Sequence, residues 1–217
     1  MKKMIMLVLL TTIFVIGVFA QNGVIREITG EVEIKPAGAS AFVPATAGAA
    51  VNMNTIISTG FRSTAIIAIG SSTITVRPLT RLSLAEIQST ANTENVNVNL
   101  QAGRVRVDVS PPAGTRANFT VQSPSATASV RGTSFDFDTV NLNVHEGKVV
   151  FGGTSGPATV VNGGFFTLIG SDGTAENSVE VTSSSTMPPS PGGGTSDTTS
   201  QPPTAGTGDL SIDIKYQ

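Results

Sequence analysis

In 217 residues, of which 13% are charged and 5% aromatic, the chain carries 23 glycines, 12 prolines, one histidine and no cysteine. That inventory leaves no disulfide, no Cys/His zinc site, no two-histidine metal site and no N-terminal lipid-bearing cysteine; a triad hydrolase would have to be assembled around one histidine, which leaves a carboxylate pair as the remaining hydrolytic arrangement. Without Lys2 and Lys3 the 13 basic side chains become 11, against 15 acidic ones and a net charge of −4, so no basic surface for nucleic acid is expected.

The opening stretch, residues 1–20, joins Lys2 and Lys3 to an apolar run and ends on Val18-x-Ala20. This predicts a secretory signal peptide cleaved before Gln21, leaving no stable membrane span. The expected location of the mature protein is therefore periplasmic or secreted.

From residue 21 to 181 the chain predicts an all-β domain of many short strands. Residues 24–36, VIREITGEVEIKP, alternate apolar and polar, and residues 63–78 give two more strands about a Gly-Ser turn. One weak helical turn is expected around Leu82 to Ile87. In NVNVNLQAGRVRVDV, Val96, Val98 and Leu100 point one way and Asn95, Asn97 and Asn99 the other. After the turn, Val105, Val107 and Val109 oppose Arg104, Arg106 and Asp108. One face of such strands is core and the other is wet. A turn glycine, a charged residue and a valine recur at Gly30-Glu31-Val32, Gly103-Arg104-Val105 and Gly147-Lys148-Val149. Glycine there takes a backbone conformation that side chains resist. The architecture expected is a twisted sandwich or a short β-helix-like stack of antiparallel strands.

Residues 182–208 are Ser, Thr, Pro and Gly rich. They cannot bury enough apolar surface to offset their ordering entropy, which predicts a disordered linker with a reach of roughly 30 Å. Residues 209–217 return to alternation, with Leu210, Ile212, Ile214 and Tyr216 on one side. Such a segment suits strand addition to an open sheet edge, in its own domain or in a partner.

Several stretches resemble the FecR domain in order: residues 51–84, LQAGRVRVDVSPP, FTVQSPSATASVRGTSFDFD, LNVHEGKVVF and NGGFFTL. The most specific is the VRGT-x-F core, Val130, Arg131, Gly132, Thr133 and Phe135, followed by Val144, Glu146, Gly147 and Val149. The resemblance spans about Ile25 to Leu168. It implies an extracytoplasmic all-β interaction domain without catalysis or cofactor, whose regulator subgroup relays the state of an outer-membrane receptor. The partner it implies is an unknown envelope protein. A cell-wall glycan is the alternative, although the chain offers no tryptophan and one tyrosine, Tyr216.

Arg131 interrupts two apolar runs and, if buried, needs a partner; Asp136, Asp138 and Glu146 are the expected ones. His145 is expected to face solvent opposite Val144. Asp136 and Asp138 share a strand face, yet two carboxylates fall short of the six to eight oxygens that calcium takes. Phe119, Phe135, Phe137, Phe151, Phe165 and Phe166 are expected in the core, except that adjacent Phe165 and Phe166 cannot both face the same side, so one of them is exposed or covered by another element such as the tail.

Overall fold

A computed structural model describes residues 23–90 and 92–181. The predicted signal peptide, linker and terminal segment with Leu210, Ile212, Ile214 and Tyr216 lie outside them. The described residues hold eighteen strands and no helix.

The first sheet runs in the order β18 (Val179–Glu180), β17 (Phe165–Leu168), β14 (Asn141–Glu146), β13 (Ser134–Asp138), β10 (Arg104–Val109), β7 (Ser72–Val76), β6 (Thr64–Ile69), β1 (Gly23–Thr29), β4 (Ala50–Val51). The second runs β16 (Thr159–Asn162), β15 (Lys148–Gly153), β12 (Ala126–Val130), β11 (Arg116–Gln122), β9 (Thr93–Ala102), β8 (Arg81–Ser89), β5 (Ile56–Thr59), β2 (Val32–Lys35), β3 (Val43–Pro44). The two orders match because most strands leave one sheet by a tight corner and enter the other. Each such bent pair, β1–β2, β5–β6, β7–β8, β9–β10, β12–β13, β14–β15 and β16–β17, is one rung of a two-layer stack. The fold thus combines the sandwich and the β-helix-like stack that the sequence suggests.

Period-two alternation explains the layering. Val96, Val98 and Leu100 of β9 and Val105 and Val107 of β10 are at most 3% exposed, facing each other across the core. Phe119, Phe135, Phe137 and Phe151 are buried with them, and the rings of Phe137 and Phe151 meet edge to face at 6.0 Å. An edge-to-face contact sets the positive rim of one ring against the negative face of the other.

The recurring Gly-charged-Val signature is a sheet-to-sheet corner. Gly30, Gly103 and Gly147 have φ of 75°, 90° and 83°, and each is followed by a charged residue whose backbone is tied to a buried hydroxyl of a neighbouring corner. The Glu31 N–H donates to Ser63 Oγ at 2.8 Å. The Arg104 N–H donates to Thr80 Oγ1 at 3.0 Å, and that hydroxyl donates to the Arg104 carbonyl at 3.1 Å. Thr133 Oγ1 donates to the Lys148 carbonyl at 3.1 Å. These hydroxyls satisfy backbone groups where the sheet ladders break at the bend.

Two expectations are corrected. Residues Leu82 to Ile87 belong to strand β8, not to a helical turn. A register shift between Leu84 and Glu86 inserts one residue, so Leu82, Leu84 and Ile87 all face the core at a spacing that imitates a helix. Nor are all pairs antiparallel: β11 lies parallel to β9. With no counterpart in the first sheet, β11 carries the chain back across the second. The corners at Gly30, Arg62, Leu79 and Gly103 therefore line one rim, and those at Gly132, Gly147 and Gly164 the other.

Candidate functional site

The VRGT stretch is one of these corners. Val130 and Thr133 are each 4% exposed and Phe135 is fully buried, while Gly132 bends the chain with φ of 105°. Thr133 and Val109 exchange both backbone hydrogen bonds, at 3.0 and 3.1 Å, which pins the corner to the end of β10. Gly147 stacks directly against it: a Cβ there would lie 2.8 Å from the Gly132 carbonyl. Glu146 is exposed beside it. Ser123 closes the β11–β12 turn by accepting from the Ala126 N–H at 3.0 Å, and it donates to the Thr139 carbonyl at 2.6 Å.

Arg131 departs from expectation. It is exposed and takes part in none of the four ion pairs among the described residues. At an outward corner position its guanidinium keeps its water, so no carboxylate partner is required. The carboxylates expected to serve it go elsewhere. Asp138 lies 3.3 Å from Arg104; Asp136 meets His145 Nε2 at 2.6 Å and lies 3.8 Å from Arg77.

Those pairs line the outer face of the first sheet, where register sets Arg104 opposite Asp138, Arg106 opposite Asp136 and Asp108 opposite Ser134. Farther across, Asp136 pairs with Asn143 and Asn143 with Phe166. An open groove of about 1080 Å³ follows this row, bounded by Arg77, Leu79 and Arg104 toward one rim and by Phe166 at the other end. Phe166 is thus the outward member of its pair, and Phe165 packs against the core.

Burial pushes the Asp138 carboxyl upward in pKa. The hydrogen bonds donated by the backbone and side chain of Asn141, the Val140 N–H and Arg104 outweigh that effect and hold it below its ordinary value. Asp138 is therefore a settled anion that organises the β13–β14 turn, its Oδ1 accepting from the Asn141 N–H at 2.8 Å.

A smaller recess of about 360 Å³ lies at the VRGT rim, between Arg106, Asp108, Ser134, His145 and Glu146. Here Ser134 Oγ donates to Asp108 Oδ1 at 2.5 Å while His145 faces Asp136, so serine and histidine are engaged in two separate pairs. A general base must reach the nucleophile's proton, and the hydrogen bond of this hydroxyl goes to a carboxylate. Among the described residues no cluster of three or more His, Asp or Glu side chains is arranged to hold a metal. Sequence reasoning passes over the role of Arg77, Asn141 and Asn143. Strand alternation places Asn143 outward, but which neighbour each side chain meets depends on register.

Residues 55–150 match the family model described as FecR protein, a span from the residue before β5 into β15 that includes the VRGT corner and three corners of the opposite rim. No curated protein matches the chain. Two crystal structures of a candidate anti-sigma factor from Parabacteroides distasonis are similar at 15% identity, with TM-scores of 0.47 and 0.48. The likeness covers 58% and 59% of this chain, and the chain spans about three fifths of that protein's length, 59% and 60%. Residues 55–150 of this chain thus match the FecR family.

Proposed function

We propose that this protein is a non-enzymatic, signalling-associated interaction module that acts outside the cytoplasm, periplasmic or secreted after loss of residues 1–20, and binds an envelope protein by strand pairing. The observation that carries this reading is the edge of β16, with which no further strand pairs among the described residues. Sheet edges are ordinarily blunted by shortness, proline or charge. Edge strands β4 and β18 have two residues each, and β3 is Val43–Pro44. By contrast β16 has four residues, Thr-Val-Val-Asn, with neither proline nor charge. Val160 on it is 55% exposed and pairs across the strands with Val150, 47% exposed. An incoming extended segment would gain main-chain hydrogen bonds and cover that apolar pair. The alternating terminal segment at Leu210, Ile212, Ile214 and Tyr216 offers a second strand for the same mode of pairing with a partner.

Affinity capture from envelope extracts tests the reading, with the mature chain, a Val160→Lys chain and a chain ending at Val181 as baits. A partner lost with Val160→Lys assigns binding to the β16 edge; one lost only with the shorter chain assigns it to the terminal segment. A partner held equally by all three, or none at all, overturns strand pairing.

A cell-wall glycan is the second reading, supported by the outer face of the second sheet. Asn118 Nδ2 donates to Asn95 Oδ1 at 2.8 Å there, and the Thr120 and Ser129 hydroxyls meet at 3.2 Å. Neutral amides and hydroxyls of this kind suit sugar hydroxyls. Failure to co-sediment with purified peptidoglycan removes this reading.

A further inference from the structure

The tight corners each contain one residue in the left-handed region, and glycine fills that position at Gly30, Gly103, Gly132, Gly147 and Gly164. Two neighbouring corners of one rim depart from the pattern: Arg62 has φ of 54° and Leu79 of 56°. Asparagine tolerates this region, as Asn54 does here, but a side chain branching beyond Cβ gains nothing from it. Glycine would serve the bend better, so these two side chains are present for something other than the bend.

The same corners expose large apolar surface. Phe61 is 72% and Leu79 63% exposed. Their two corners are tied together, because the Leu79 N–H donates to the Gly60 carbonyl at 3.2 Å. The Arg62 guanidinium lies over the Phe61 ring at 5.3 Å, and Arg81 over Phe42 at 5.4 Å. Neither arginine forms an ion pair among the described residues. Leu79 also borders the groove beside Arg77 and Arg104. Arg104 is answered by Asp138 and Arg77 loosely by Asp136, while Glu31 is the carboxylate of the adjacent corner. In a chain of net charge −2, this rim carries a local excess of cations around an exposed apolar pair.

We propose that Phe61, Arg62 and Leu79 form a docking surface for a protein segment that combines a bulky apolar side chain with carboxylates. The apolar anchor lies against Phe61 and Leu79, and the carboxylates meet the guanidinium of Arg62 and, along the groove, that of Arg77. Arginine supplies planar, bidentate recognition of carboxylates, and rings and guanidinium groups are the side chains that dominate protein contacts. Two apolar side chains on rigid corners, with arginines rather than flexible lysines around them, fit a protein anchor better than a lipid surface. This surface lies away from the β16 edge and stands independently of it.

A random twelve-residue peptide display library panned on the full mature chain is the probe. Peptides with Leu, Ile or Phe beside Asp or Glu are expected to enrich. A synthetic peptide of that pattern should lose at least tenfold in affinity with Leu79→Gly or Arg62→Gly and keep its affinity with Val160→Lys. Leu79→Gly should also raise Tm by roughly 1–4 °C, since it relieves the left-handed backbone. A fall in Tm with Leu79→Gly would show that the leucine serves the fold and overturn the proposal. So would no enrichment, peptides without that pattern, or equal binding by Leu79→Gly. Co-sedimentation of the wild-type chain, but not Leu79→Gly, with phosphatidylglycerol vesicles would assign the rim to a lipid surface and likewise overturn it.

Discussion

Replacing the corner glycines one at a time by alanine separates backbone strain from steric conflict. All three relevant positions are left-handed, with φ of 90° at Gly103, 105° at Gly132 and 83° at Gly147, so each alanine incurs about 1–2 kcal/mol from the backbone alone. Their surroundings differ. At Gly132 the nearest atom to a new Cβ is Pro111 Cδ at 3.5 Å, an ordinary contact. At Gly147 the new carbon meets the Gly132 carbonyl at 2.8 Å and Thr133 Oγ1 at 3.0 Å. At Gly103 it collides with Thr80 Oγ1 and meets Thr80 Cα at 2.5 Å and the Leu79 carbonyl at 2.7 Å. Two of those three atoms are backbone and cannot rotate away, which adds about 1–3 kcal/mol of overpacking. Gly132→Ala should therefore cost about 1–2 kcal/mol and Gly103→Ala about 2–5 kcal/mol, with Gly147→Ala between them. At about 2–4 °C per kcal/mol for a domain of this size, Gly103→Ala lowers Tm by roughly 4–20 °C. Urea titration followed by circular dichroism gives the free energies directly. If Gly103→Ala proves no more destabilising than Gly132→Ala, the close-packed corner ladder is not what fixes these glycines.

Arg131→Ala should change stability by no more than about 0.5 kcal/mol, because the side chain is exposed and forms no ion pair among the described residues; a loss above about 1.5 kcal/mol in the same titration would mean that the corner uses the guanidinium. Thr80→Val keeps the shape of a residue 1% exposed but strips the hydroxyl from the Arg104 backbone, and a cost of about 1–3 kcal/mol is expected, against none if water replaces it. For Asp138 the folded carboxyl sits below its ordinary pKa, so its stabilising contribution is present above the unfolded-state value, about 4, and is lost as pH falls through the folded value. Asp138→Asn should therefore narrow the stability gap to wild type as pH drops from 6 to 3; a gap that stays constant over that range would show that the charge plays no part.

The FecR-like motif, the all-β class and the inward faces of the strands are legible in residue order because alternation is a local property. Val96, Val98 and Leu100 must share a face whichever strand they pair with. The Gly-charged-Val corners are legible for the same reason, since glycine's left-handed freedom belongs to one residue. Partnership is different. Ser63, Thr80 and Thr133 serve corners whose charged residues lie 32, 24 and 15 positions away, and nothing in the intervening sequence marks those distances. The His145–Asp136 pair, the parallel seat of β11 and the extra residue that sets Leu82, Leu84 and Ile87 on one face all depend on register. The solvated Arg131 and the left-handed Arg62 and Leu79 depend likewise on where the stack turns. Periodicity decides which side of a strand is apolar; only the assembled ladders decide which atoms lie within hydrogen-bonding reach, because strand pairing joins residues by spacing in three dimensions and not along the chain.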